Sequence, residues 1–138
     1  MASEGEPPAA ESLLADARFL AQEAEVVDSQ RAVLIAAAAC EIKSKLVMRE
    51  KVDASKAELL RLVLGRVSNL PQLLDKPLLA ALGVSLRTTD EHLYGQVRRL
   101  SERRNEVVHQ GVRVERTEGW QLVVAAGQLF EWLDGLGG

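Results

Sequence analysis

The stretch AVLIAAAAC, residues 32–40, is an unbroken apolar run, followed at once by Glu41 and then by IKSKLVMR over 42–49. A membrane span needs roughly 20 apolar residues, so the run is too short to cross a bilayer. As a helix it is apolar on nearly every side, which puts it at the centre of a helical bundle. Asp28-Ser29 supplies an N-cap just upstream, and the helix is expected to reach about Arg49.

Outward from this run the chain keeps a helical period. Upstream, Leu13, Leu14, Ala17, Leu20, Ala21 and Ala24 predict a first helix from about Ala10 to Val27, preceded by a disordered leader over residues 1–9 that contains Pro7-Pro8. Downstream, Ser55-x-x-Glu58 reads as a capping box opening a third helix that ends near Gly65 or Arg66. Pro71 and Pro77 fit a short helix or a pair of turns between Asn69 and Gly83. Thr88-x-x-Glu91 is a second box, and its helix is expected to run to Gln110 and stop at Gly111. After an extended link over residues 112–116, Thr117 caps a last helix to Asp134, ended by Gly135, with a loose tail over 136–138. The expected fold is all-α: one domain over residues 10–135, an antiparallel bundle of four long helices plus a short helix.

Composition agrees with a single folded domain. The 138 residues, 47% hydrophobic and 27% charged, exclude a disordered or collagenous chain. Cys40 is the one cysteine, which excludes an internal disulfide and a cysteine metal cage; it reads as a small buried apolar residue. The acidic N-terminus lacks a signal pattern, so a soluble, cytoplasmic protein without membrane contact is expected. The net charge of -3 argues against a general nucleic-acid coater. Its distribution is uneven: residues 1–30 hold seven acids against Arg18 alone, whereas residues 98–104 hold four arginines against Glu102.

Those arginines sit on the helix expected over 88–110. Leu93, Val97, Leu100, Val107 and Val108 form its apolar stripe, and Arg104 falls on that stripe where a leucine would be at home. A guanidinium inside a bundle costs free energy unless it is paired or reaches water. Tyr94, Arg98, Glu102, Asn105 and His109 share the other face, with Asn105 and His109 one turn apart. A face of Tyr, Arg, Asn and His, with one Glu and no Lys, points to a cleft or a subunit interface.

Arg104-Asn105-Glu106-Val107-Val108-His109, late in the penultimate helix and followed by Gly111 and one closing helix, resembles the R-N-x-x-x-H version of the Rx4-6H motif of HEPN domains. HEPN domains are all-α modules, many of them metal-independent endoribonucleases of toxin–antitoxin and antiviral systems. The resemblance covers most of the chain, from the apolar second helix with Glu41 to the last helix. It implies an endoribonuclease that cleaves RNA by attack of a 2'-hydroxyl, with no cofactor, acting as a toxin or defence effector with a possible antitoxin partner. It also implies a homodimer in which two copies of the motif complete one site. His109, titrating nearest neutral pH, suits general acid or base work. Arg104 suits stabilisation of charge on the phosphate oxygens. Asn105 can hold the His109 ring or a phosphate oxygen, and Arg98, Arg99 and Arg103 would bind RNA.

Glu41 has two readings of equal weight, a pair with Arg104 across two helices or a pair with Lys45 on its own helix. His92 has no recognisable partner. His92 and His109, seventeen positions apart on one helix, are roughly 25 Å apart along its axis, so no metal site is expected. HEPN toxins silenced by nucleotidylation carry a tyrosine two residues after the histidine. Gly111 stands there, so that control is not expected in this chain. The alternatives to a nuclease are a non-catalytic HEPN-like module binding a nucleotide or a protein, and an unrelated helical scaffold.

Overall fold

The structure, a computed structural model, describes residues 8–22, 26–67 and 69–136. Among them the chain forms α1 (Ala9–Ala21), α2 (Val26–Lys51), α3 (Ala57–Leu64), α4 (Leu70–Leu73), α5 (Lys76–Leu82), α6 (Leu86–Thr89), α7 (Glu91–Gln110) and α8 (Arg116–Asp134), with no strand. No helix among the described residues is long and apolar enough to cross a membrane. The expected leader lies outside the described residues as far as residue 7, and Ala9 already belongs to α1. Of the expected loose tail, residues 137–138 lie outside them too, while Leu136 packs against the core and its carbonyl accepts a hydrogen bond from Lys51 Nζ.

The alanine-rich run is central, as its pattern requires. Ala32, Val33, Ala36, Ala37, Ala39 and Cys40 are buried, and α2 touches α1, α3, α4, α5, α7 and α8. Burial pushes the Cys40 thiol up to about 12, so it stays protonated and serves as packing. Small side chains let the neighbours approach closely: Ala10, Ala17 and Ala21 are the buried alanines of α1, and Gly119, Ala125, Ala126 and Gly127 are buried on α8. A Cβ at Gly119 would lie 3.2 Å from Ser29 Cβ on α2. Gly119→Val is therefore expected to destabilise the fold by about 2 kcal/mol, read as a lower urea midpoint, because the α2–α8 crossing has no room for branched carbons.

Helix boundaries depart from expectation where a nearer cap wins. Asp53, not Ser55, caps the chain before α3: its carboxylate accepts from the Ser55 amide at 3.2 Å, and residues 54–56 form a 3-10 turn ahead of the helix. Glu58 instead pairs with Arg61. Thr88 ends up inside the short α6, and Asp90 caps α7 by accepting from the Leu93 amide at 3.0 Å. Ser29 lies buried within α2, and α8 starts at Arg116, ahead of Thr117. Between α3 and α7 the two prolines open α4 and α5 separately, with Asn69 capping α4 through the Gln72 amide at 3.0 Å. The long helices α2, α7 and α8 are thus accompanied by α1 and several short helices, more segments than the sequence predicts.

Candidate functional site

Helix α7 presents the motif at its C-terminal end. Leu93, Val97 and Leu100 are buried; beyond them Val107 is half-buried against the core, and Val108 is 49% exposed. Arg104 is exposed, contrary to the reading that set it among core positions. Its guanidinium therefore reaches water, and the burial cost does not arise. Asn105 and His109 are exposed as well. Gly111 stops the helix at φ 63°, the left-handed conformation that favours glycine.

The chain beyond His109 is tied down. Gln30 Nε2 on α2 donates to the Val112 carbonyl at 2.7 Å, Arg103 Nη2 donates to the Arg113 carbonyl at 3.2 Å, and Val114 is fully buried. Arg103 also reaches Glu118 at 2.8 Å and Glu106 at 3.2 Å, and Arg99 pairs with the same Glu118. Two of the three arginines expected to meet RNA are therefore engaged in joining α7 to α8. Arg98 stays exposed, with Glu102 4.0 Å away.

The Arg103 guanidinium, by hydrogen bonding, holds the Glu118 carboxyl below the usual carboxylate range against the opposing effect of burial, and Arg99 adds to this. A group whose folded pKa is depressed stabilises fully above its unfolded value, ordinarily about 4.3, and loses that contribution as pH falls through the folded value. Wild type is thus expected to lose more of its urea midpoint between pH 6 and pH 3 than Glu118→Gln does. Equal losses would show that the cluster does not govern acid stability.

Glu41 pairs with Lys45 at 3.0 Å, the second of its two readings. It nevertheless shares a groove with Arg104: a cavity of about 590 Å³ between α2, α4 and α7 is lined by Leu34, Ala38, Glu41, Arg104, Asn105 and Val108, among others. Arg104 Nη1 donates to Asn105 Oδ1 at 3.0 Å, so the Asn105 carbonyl orients the guanidinium, not the His109 ring. A second cavity of about 760 Å³ lies between α7 and the α4–α5 segment, where Tyr94 and Arg98 face Lys76. Asn69, Ser101 and Asn105 line both cavities, which join them into one two-lobed cleft. His109 stands one turn beyond Asn105, outside the residues that line either lobe.

Asn69, Ser101, Lys76, Gln30 and Glu118 escaped the sequence reading. Ser101 had a signal, seven residues after Tyr94 and four before Asn105 on the same face. Gln30 and Glu118 had none, since their partners are 82 and 15 residues away in sequence. Among the described residues no three His, Cys, Asp or Glu side chains gather as metal ligands would. Compared with protein-family models, with curated proteins and with solved structures, the chain finds no match.

Proposed function

We propose that this chain is a metal-independent endoribonuclease of the HEPN kind, an antiparallel helical bundle acting as a toxin or antiviral defence effector. The observation that carries the reading is the exposure of Arg104, Asn105 and His109 together at the end of one helix, beside an open cleft. Arg104 makes no ion pair among the described residues, and its one side-chain bond is to a neutral amide. A guanidinium held by Asn105 and not neutralised by a carboxylate suits the oxygens of a phosphate.

In the proposed reaction the 2'-oxygen of RNA attacks the adjacent phosphorus in line while its proton passes to a histidine. The P–O5' bond breaks and the 5'-oxygen leaves with a proton from a second histidine, giving a 2',3'-cyclic phosphate and a 5'-hydroxyl. Arg104 stabilises the charge that develops on the non-bridging oxygens. One chain supplies one such histidine, so a homodimer that brings two copies of α7 together supplies both proton carriers. The exposed Val108, between Arg104 and His109, fits burial in such a contact.

The test is incubation of the purified protein with structured RNA in EDTA, followed by analysis of the new ends. Cleavage with cyclic-phosphate ends is the expected result. No cleavage of any RNA, at concentrations where the protein is dimeric, would overturn the reading and favour the non-catalytic binding module.

A further inference from the structure

The larger lobe of the cleft is not explained by the cleavage chemistry. Tyr94, Arg98, Ser101 and Asn105 follow one another at helical spacings of four, three and four, so they form a single stripe along α7. At a rise of 1.5 Å per residue the stripe runs about 16 Å, from the aromatic ring to the residue that orients Arg104. Tyr94 is the one aromatic residue lining either lobe. It is half-buried and packed against the core, so its ring is a fixed surface, not a mobile one. The facing wall brings Pro71 and Pro77, both conformationally rigid, and Lys76.

Charge in this lobe is less balanced than its residue types suggest. Asp75 is turned away from the task of neutralising Lys76: its carboxylate accepts from Ser85 Oγ at 2.7 Å and lies 3.6 Å from Arg87 Nε. Lys76 makes no ion pair among the described residues, and Arg98 meets Glu102 only at the outer limit of one, 4.0 Å. A fixed aromatic ring flanked by an exposed lysine and an exposed arginine, continuous with a phosphate-seeking arginine, combines the two elements that hold single-stranded nucleic acid: a stacking platform and cations along the backbone track.

Resting on the nuclease reading, we infer that this lobe binds an unpaired nucleotide of the RNA a short way along the strand from the scissile phosphate, its base stacked on Tyr94 and its backbone phosphates near Arg98 and Lys76. The preferred substrate is then single-stranded. A base inside a helix is already stacked and paired and cannot lie against the ring, whereas a loop or an unstructured strand offers its face freely.

The experiment uses the full chain carrying His109→Ala, to prevent turnover, and a fluorescein-labelled eight-nucleotide RNA, single-stranded or annealed to its complement, titrated at one fixed salt concentration. The single strand is expected to bind at least tenfold tighter than the duplex. Tyr94→Ala added to this background is expected to weaken single-strand binding about tenfold, the usual effect of removing one stacking side chain, while Tyr94→Phe retains it. Arg98→Ala, at an exposed position that the fold does not need, is expected to weaken binding and flatten its salt dependence, which keeps the test available if Tyr94→Ala proves unstable. Equal affinity for the two RNA forms, or single-strand binding indifferent to Tyr94 and Arg98, would overturn the inference. Cleavage by wild type alongside such indifference would leave the nuclease reading standing without this base site. Binding that depends on Tyr94 in a protein that cleaves nothing would leave the base site standing without the nuclease.

Discussion

His109→Ala is expected to cleave RNA about 10²–10⁴-fold more slowly than wild type, the range over which one positioned acid or base contributes, while its urea unfolding midpoint stays unchanged. The two halves of this expectation have different origins. The histidine is exposed at the end of α7, and the turn that follows it is held by other groups: Gly111 at the helix end, Gln30 on the Val112 carbonyl and Arg103 on the Arg113 carbonyl. Removing an exposed imidazole from such a frame shifts stability by no more than about 0.5 kcal/mol. The chemical step has no such reserve, since among the described residues His92 is the other histidine and it lies near the start of the same helix. Initial rates on one RNA, with and without the substitution and in EDTA, measure the effect. Equal rates would move the chemistry away from this side chain.

Lys43→Ala is expected to lower stability by about 3 kcal/mol. Lys43 is buried, its side chain 10% exposed, and its ammonium sits 2.7 Å from Glu11 on α1 and 2.7 Å from Asp134 at the end of α8. The same ammonium lies 5.5 Å from the centre of the Phe130 ring. It thus joins three helices at one point. Breaking a buried ion pair by removing one member costs 3–5 kcal/mol. Here the effect falls at the lower end, because the Glu11 and Asp134 side chains are 33% and 61% exposed and regain water when the lysine is gone.

Burial acts to lower the Lys43 pKa, but hydrogen bonds to Asp134 and Glu11 outweigh it and leave it raised. A raised folded pKa gives a contribution that is complete below the unfolded value, about 10.4 for lysine, and that fades as pH rises through the higher folded value. Urea unfolding at pH 7, followed by the fluorescence of Trp120 and Trp132, measures the loss. A change under about 1 kcal/mol would show that packing, not the ion pairs, holds these helices together.

Much of the helical content was legible because its signals are local. Most of the run over 32–40 had to be buried wherever its helix lay, and six of its nine residues are; Gly111 had to stop α7 because the backbone there turns left-handed. The caps were less legible. Asp53 and Asp90 each stand within two residues of the expected serine or threonine, and either residue type satisfies the same orphan amides. Spacing alone does not choose between them.

The face of Tyr94, Arg98, Glu102, Asn105 and His109 was recognisable from residue type as a cleft wall or a subunit interface, and the structure sets the first four beside one cavity while His109 lies outside it. What the chain faces there was not recognisable. The opposite wall comes from α4 and α5, whose separate existence depends on how Pro71 and Pro77 divide the chain between Asn69 and Gly83.

Local pattern was enough to establish an all-helical chain, the central place of the alanine-rich helix, the end of α7 and the position of Arg104, Asn105 and His109 on its last two turns. These follow from side-chain periodicity and backbone preference, which act over a few residues. It took the packing of the helices to put Arg104 in water, engage Arg99 and Arg103 with Glu118, turn Glu41 to Lys45, and bury Lys43 between two carboxylates. Each depends on which helix ends nearest to which. A long charged side chain can reach either water or a partner within a few ångströms of its helix, and the partner that wins is set by helices distant in sequence.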